Sequence, residues 1–113
     1  MSCLFCKIVA GDIPANKVFE DDDVLAFRDI NPASPTHILV IPKKHIATMN
    51  DTTVEDQAVL GKMMLIAKDL AAEEGIADDG FRLSISTNAQ GGQSVYHIHL
   101  HLMGGRQMQW PPG

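Results

Sequence analysis

The stretch Val95-Tyr96-His97-Ile98-His99-Leu100-His101-Leu102-Met103 alternates two kinds of side chain. Its odd positions carry Val95, His97, His99, His101 and Met103, and its even positions Tyr96, Ile98, Leu100 and Leu102. A period of two is the signature of an extended chain whose successive side chains point to opposite faces. The pattern predicts a strand over 95–103, apolar toward a core on one face, with all three histidines on the other. Side chains two apart on a strand lie about 6.5–7 Å apart at the backbone, so neighbouring imidazoles can converge on one small group while the outer two flank it. That geometry suits a phosphorus centre. Three of the chain's five histidines on alternate positions would be costly on a buried face unless they were used. From the residues alone two chemistries compete: a covalent nucleophile with two helpers, and a metal site built on His-x-His.

Just upstream, Gly91-Gly92-Gln93-Ser94 can turn backbone N–H groups toward the histidine face as an anion-binding nest, and Ser94 could donate to a leaving group. Asn88 to Gly92 reads as a loop, and before it Phe81, Leu83 and Ile85 alternate with polar residues as a half-buried strand. The run Val54 to Glu74 carries Val59, Met63, Ile66, Ala67 and Leu70 at helical spacing. A Thr52/Glu55 capping box starts this long helix and Gly75 ends it. His37 to Ile41, closed by Pro42, suits a central strand buried on both faces. Lys17 to Glu20 and Val24 to Arg28 form a hairpin around the solvated turn Asp21-Asp22-Asp23. A short helix over Cys3 to Val9, capped by Ser2 and stopped by Gly11, opens the chain. The expected architecture is α+β: a single domain over 1–113, with an antiparallel sheet of about five strands and the long helix on its apolar side.

The chain has 113 residues, 45% of them hydrophobic and 20% charged, which suits one soluble globule and neither a disordered segment nor a coiled coil. A formal charge of -5 offers no bulk positive field for DNA, RNA or an anionic membrane, so any phosphate must be held locally. No apolar run approaches the ~18 residues of a spanning helix, and the first residues lack the order of a signal peptide. The cytoplasm is the expected compartment. Its reducing conditions argue against a structural disulfide between Cys3 and Cys6, leaving a thiol pair or half a metal site.

The segment Gly92-Gln93-Ser94-Val95-Tyr96-His97-Ile98-His99-Leu100-His101-Leu102 resembles the His-x-His-x-His signature of the histidine triad (HIT) superfamily. The likeness runs on through Leu4-Phe5-Cys6-Lys7-Ile8, Ile13-Pro14-Ala15, Phe27-Arg28-Asp29-Ile30-Asn31-Pro32, Pro35-Thr36-His37 and Val40-Ile41-Pro42-Lys43-Lys44-His45-Ile46, and covers essentially the whole chain. The tail Gly104-Gly105-Arg106-Gln107-Met108-Gln109-Trp110-Pro111-Pro112-Gly113 is similar to that of the Hint branch, the purine nucleoside phosphoramidases. It is less similar to the dinucleotide polyphosphate hydrolases, the nucleotidyltransferases or the aprataxin-like deadenylases of the superfamily.

That resemblance implies a homodimer that binds purine nucleoside monophosphates and phosphoramidates and hydrolyses a P–N bond through a nucleotidyl-histidine. His99 matches the nucleophile. His101 and Ser94 match groups that serve the leaving amine, and His97 and His37 match histidines that support the phosphate and the nucleophile. Asp29 matches the residue that takes the ribose hydroxyls, although alone it reads as a turn aspartate. Phe5, Ile8, Ile13, Phe27, Ile30 and Leu39 match a purine pocket, although each alone reads as core. Gly92, Gln93, Ser94 and Val95 fall along the phosphate loop. The family's phosphate-side asparagine falls on Ser86, and the glycine two later falls on Asn88. The resemblance also implies that residues 104–113 contribute to the dimer and the active site.

No Walker-type lysine loop or Mg²⁺-binding carboxylate pair is apparent, so catalysis is expected to need no cofactor. Cys3, Cys6, His45 and His97 resemble a Cys₂His₂ structural zinc site found in bacterial relatives. The alternatives are a non-catalytic purine nucleotide-binding or scaffold module, a dinucleotide polyphosphate hydrolase of the same superfamily, and a metalloenzyme using His-x-His.

Overall fold

Asp21 turns the first hairpin. Its Oδ1 accepts from the backbone N–H groups of Asp23 and Val24 at 2.9 and 2.8 Å, the local bonding that suits aspartate to turns. In the computed structural model, which describes residues 3–113, this joins β1 (Lys17–Glu20) to β2 (Val24–Arg28), as the sequence predicts. The next strand, β3 (Thr36–Pro42), is buried along its whole length. It pairs antiparallel with β2 on one side and on the other with the histidine-bearing strand, here labelled β5 (Leu100–Gly104). An edge strand, β4 (Phe81–Ser84), completes a five-stranded antiparallel sheet in the order β1-β2-β3-β5-β4.

Both faces of the sheet are covered, which is why β2 and β3 read as continuous apolar runs. On one face Val24, Ala26, Ile38, Val40, Leu100 and Leu102 pack with Met63, Ile66, Ala67 and Leu70 of the long helix α2 (Gln57–Glu73). Each such buried Leu or Ile contributes about 1.5–3 kcal/mol. On the other face Leu25, Phe27, Leu39 and Ile41 pack against Phe5 and Ile8 of α1 (Leu4–Ala10). The histidines point to this second, α1 side. Among the described residues no helix is long and apolar enough to cross a membrane.

Four local expectations need correction. The predicted strand 95–103 is laddered only from Leu100 onward, because its neighbour β3 ends at Pro42, which has no N–H to give. The chain before it bends over Val95–His97 and is fastened by a backbone bond from Ile98 N–H to Ile46 O, 2.7 Å, and Ile98, Leu100 and Leu102 stay buried. The opening helix begins one residue later than expected. Ser2 lies outside the described residues, and Cys3 occupies the capping position, its Sγ accepting from Cys6 N–H at 3.3 Å. The capping box before α2 is Thr53/Asp56 rather than Thr52/Glu55, because Asp56 returns to Thr53 N–H at 2.9 Å while Lys44 holds it at 2.7 Å. A 3₁₀ turn over Val54–Asp56 precedes α2 proper. Finally, Asn88–Gly91 is a single helical turn (α3) rather than an open loop, stopped by Gly92 at φ +80°.

Candidate active site

The β3/β5 register sets Leu39 opposite His101 and His37 opposite Met103, which makes His37 and His101 diagonal neighbours on the α1 face. His37 Nε2 and His101 Nδ1 are 2.9 Å apart. The partners assign the protons. Ala33 N–H donates to His37 Nδ1 at 3.0 Å, so in the neutral ring that nitrogen is a bare acceptor and the proton sits on Nε2. His37 Nε2–H therefore donates to His101 Nδ1, and the His101 proton sits on Nε2. Asp29 Oδ2 stands 3.5 Å from His37 Nε2, and its Oδ1 accepts from Asn31 N–H at 2.9 Å.

His99 is fixed in the opposite sense. Its Nδ1–H donates to the backbone oxygen of His97 at 2.8 Å, which leaves Nε2 with a free lone pair. Phe5 meets the His99 ring edge-on at 5.2 Å, and Phe27 meets Phe5 at 5.4 Å. The His101 ring lies 4.8 Å from that of His99. Burial pushes His101 down to about 4, with His99 and His37 adding to the effect and Asp29 opposing it. Burial likewise lowers His37, against the pull of Asp29. At neutral pH the His37 and His101 rings are uncharged, and His101 carries its N–H on Nε2 in a ring 4.8 Å from that of His99.

His97 belongs to a different cluster. Fully buried at 0% exposure, it gives its Nε2–H to Pro42 O at 2.8 Å and turns its Nδ1 to Cys3 Sγ (3.4 Å), Cys6 Sγ (3.5 Å) and His45 Nδ1 (3.2 Å). These four donors lie within 4.8 Å of one another. Tetrahedral zinc with thiolate and imidazole ligands spaces its donors about 3.3–3.8 Å apart, so the set fits, and the Pro42 carbonyl supplies the outer bond that orients such a histidine. Burial pushes the Cys6 thiol up, with Cys3 adding to it, and a cation among the donors would reverse that. Asp29, His37 and His101 also gather within 4.8 Å. They do not fit a cation, because the Ala33 amide commits the His37 proton to Nε2, the atom that would have to ligate.

The remaining predicted positions sort by exposure. Ile8, Phe27 and Leu39 are buried behind Phe5, Val95 and Ile13 are half-buried beside them, and Ile30, next to Asp29, is 90% exposed. Gln93 is a staple: its Nε2 donates to Ala47 O and Val95 O, and its Oε1 accepts from Asn88 N–H. Ser94 is exposed and Ser86 half-buried. Asn88 takes φ +61°, the left-handed conformation in which it stands in for glycine. The sequence reading singled out neither Ala33 nor, within the tail 104–113 that the resemblance assigns to the active site, Arg106. Arg106 Nε and Nη2 both donate to Ala33 O, at 3.2 and 3.0 Å. The rigid Pro32-Ala33-Ser34-Pro35 spacing was the one signal for this loop.

A model of the HIT domain family matches residues 10–108. The purine nucleoside phosphoramidase of Escherichia coli K12 is 52% identical over 105 residues, covering 93% of this chain and 88% of that protein. The crystal structure of a HIT family hydrolase from Legionella pneumophila Philadelphia 1 is 60% identical, with a TM-score of 0.98 over 99% of this chain and 100% of that one. The histidine triad nucleotide-binding protein of Candida albicans is similar at 29% identity, with a TM-score of 0.83 over 97% and 83% of the two chains.

Proposed function

The chain belongs to the HIT domain family, and on that premise we propose that it hydrolyses the P–N bond of purine nucleoside phosphoramidates through a nucleotidyl intermediate on His99. The reading rests on one observation above all: the bond from His99 Nδ1–H to His97 O, which leaves His99 Nε2 bare beside the His101 Nε2–H. In the first half, His99 Nε2 attacks phosphorus, a P–N bond to histidine forms and the bond to the amine breaks. The amine takes up one proton as it leaves; solvent supplies it by way of the neutral His37–His101 pair, whose His101 Nε2–H hydrogen-bonds the departing nitrogen. In the second half water attacks the adduct, the proton it loses leaves to solvent by the same route, the bond to His99 breaks and the nucleoside monophosphate is released. Asp29 takes the ribose hydroxyls, and Ile30, Phe5 and their neighbours cover the purine. Turnover of adenosine 5'-phosphoramidate, with competition by purine monophosphate, tests this. No release of amine above the buffer rate contradicts it and favours a binding module.

Zinc is part of the same reading. Held by Cys3, Cys6, His45 and His97, it would tie α1 to the segment before β5, and it takes no part in the chemistry at His99. A homodimer is supported by the edge position of β4 and by the apolar groove that Met49, Leu60, Met64 and Ile85 line nearby. Arg82 Nη2 donates to Gln109 O at 2.9 Å and fastens the tail to β4, where Trp110 is left 82% exposed for a second copy to cover.

A further inference from the structure

We propose that Arg106 is a positioning residue for His101, acting through Ala33 and His37. Its guanidinium places two N–H groups on one acceptor, the Ala33 carbonyl oxygen. The N–H of the same residue, on the preceding peptide unit, donates to His37 Nδ1 at 3.0 Å. That bond decides which nitrogen of His37 carries the proton, and the 2.9 Å contact passes the decision to His101. The approach that makes this contact is built into the chain. Gly105 has φ +93°, and a Cβ there would stand 2.8 Å from Pro35 Cβ, so only glycine lets the chain after β5 cross this loop closely enough for Arg106 to reach Ala33.

Freed from the amide, His37 could place its proton on Nδ1 and present a bare Nε2. His101 would then turn its own proton inward, and its outer nitrogen would lose the N–H that faces the leaving group. The consequence for turnover rests on the phosphoramidase reading, whereas the proton positions do not.

The test is histidine-selective ¹⁵N NMR of the resting protein and of Arg106→Ala and Arg106→Lys, together with steady-state kinetics. In the wild type His37 and His101 are both expected as Nε2–H forms. Arg106→Ala should give mixed forms for these two rings only, and Arg106→Lys, which keeps one donor, should restore part of the wild-type pattern. For an alkylamine leaving group kcat should fall about tenfold in Arg106→Ala with KM within about twofold, the loss expected of one hydrogen bond to the departing nitrogen. An Nδ1–H form of His37 in the wild type overturns the proposal. So do unchanged tautomers in Arg106→Ala, or a change that reaches His97 and His99 equally. If the tautomers move as expected while no protein turns over phosphoramidate, the positioning stands and the phosphoramidase reading fails.

Discussion

His99 Nδ1 lies 2.8 Å from the backbone oxygen of His97, while the His97 ring is turned away into the cysteine cluster. On the proposed mechanism His99 is the nucleophile, and the histidine two residues earlier tethers it with a carbonyl rather than with its imidazole. The triad is therefore split in space, His97 with the cysteines and His45, and His99 and His101 with His37, and each half makes its own predictions.

The cysteine cluster should bind one equivalent of zinc per chain, and Cys3→Ser/Cys6→Ser should lose it, because the thiolates dominate such a site. Elemental analysis reads this directly. Phosphoramidase activity should persist in EDTA, since no step at His99 uses the metal. Metal content that does not change in the double variant removes the two cysteines as ligands.

Stability should fall on acidification. His37 and His101 are held below the ordinary histidine range, so the unfolded chain takes up protons first, from about pH 6.5, and the folded chain only near the value of about 4 for His101. Their contribution is complete above about pH 6.5 and is lost as pH drops toward 4. Thermal melts between pH 7.5 and 4.5 should show a declining Tm, flatter in His101→Asn. An equal slope in that variant contradicts the assignment.

The sequence marked the sheet, α1 and α2 because side-chain periodicity and the turn residues carry them, whereas the roles expected of the histidines came from the family resemblance. Lys17–Glu20 and Val24–Arg28 lie where alternation and the aspartate turn put them, and Phe5 and Ile8 share a helix face that meets Leu39. Backbone groups were invisible to that reading. Nothing in the letters says that Pro42 O and His97 O accept from ring nitrogens, or that Ala33 N–H sets a tautomer. The strand predicted from Val95 begins at Leu100 because the chain bends over Val95–His97, where alternating letters do not mark a laddered strand.

Ser86→Asn should raise turnover about tenfold, the effect of recovering one hydrogen bond worth ~1–1.5 kcal/mol at the phosphate. Asn88 already occupies the left-handed conformation at φ +61°, so Asn88→Gly should be tolerated with near wild-type activity. Activity that collapses in Asn88→Gly, with Ser86→Asn unchanged, would show that the Asn88 amide does the work assigned to position 86.

The chain should be a two-fold dimer at micromolar concentration by light scattering. Truncation after Gly105 removes Arg106 and Trp110 together and should alter substrate preference as well as rate. A monomer, or a truncated form with unchanged preference, denies the tail its role at the interface.

Central to the whole account is the covalent bond to His99, and rapid quench of enzyme with adenosine 5'-phosphoramidate followed by peptide mass spectrometry tests it most directly. The expected result is a nucleotidyl adduct on the peptide carrying His99, absent in His99→Ala, which should still bind purine monophosphate while losing more than the ~10²–10⁴-fold that acid–base assistance alone contributes. An adduct on another residue, or turnover undiminished in His99→Ala, would contradict it.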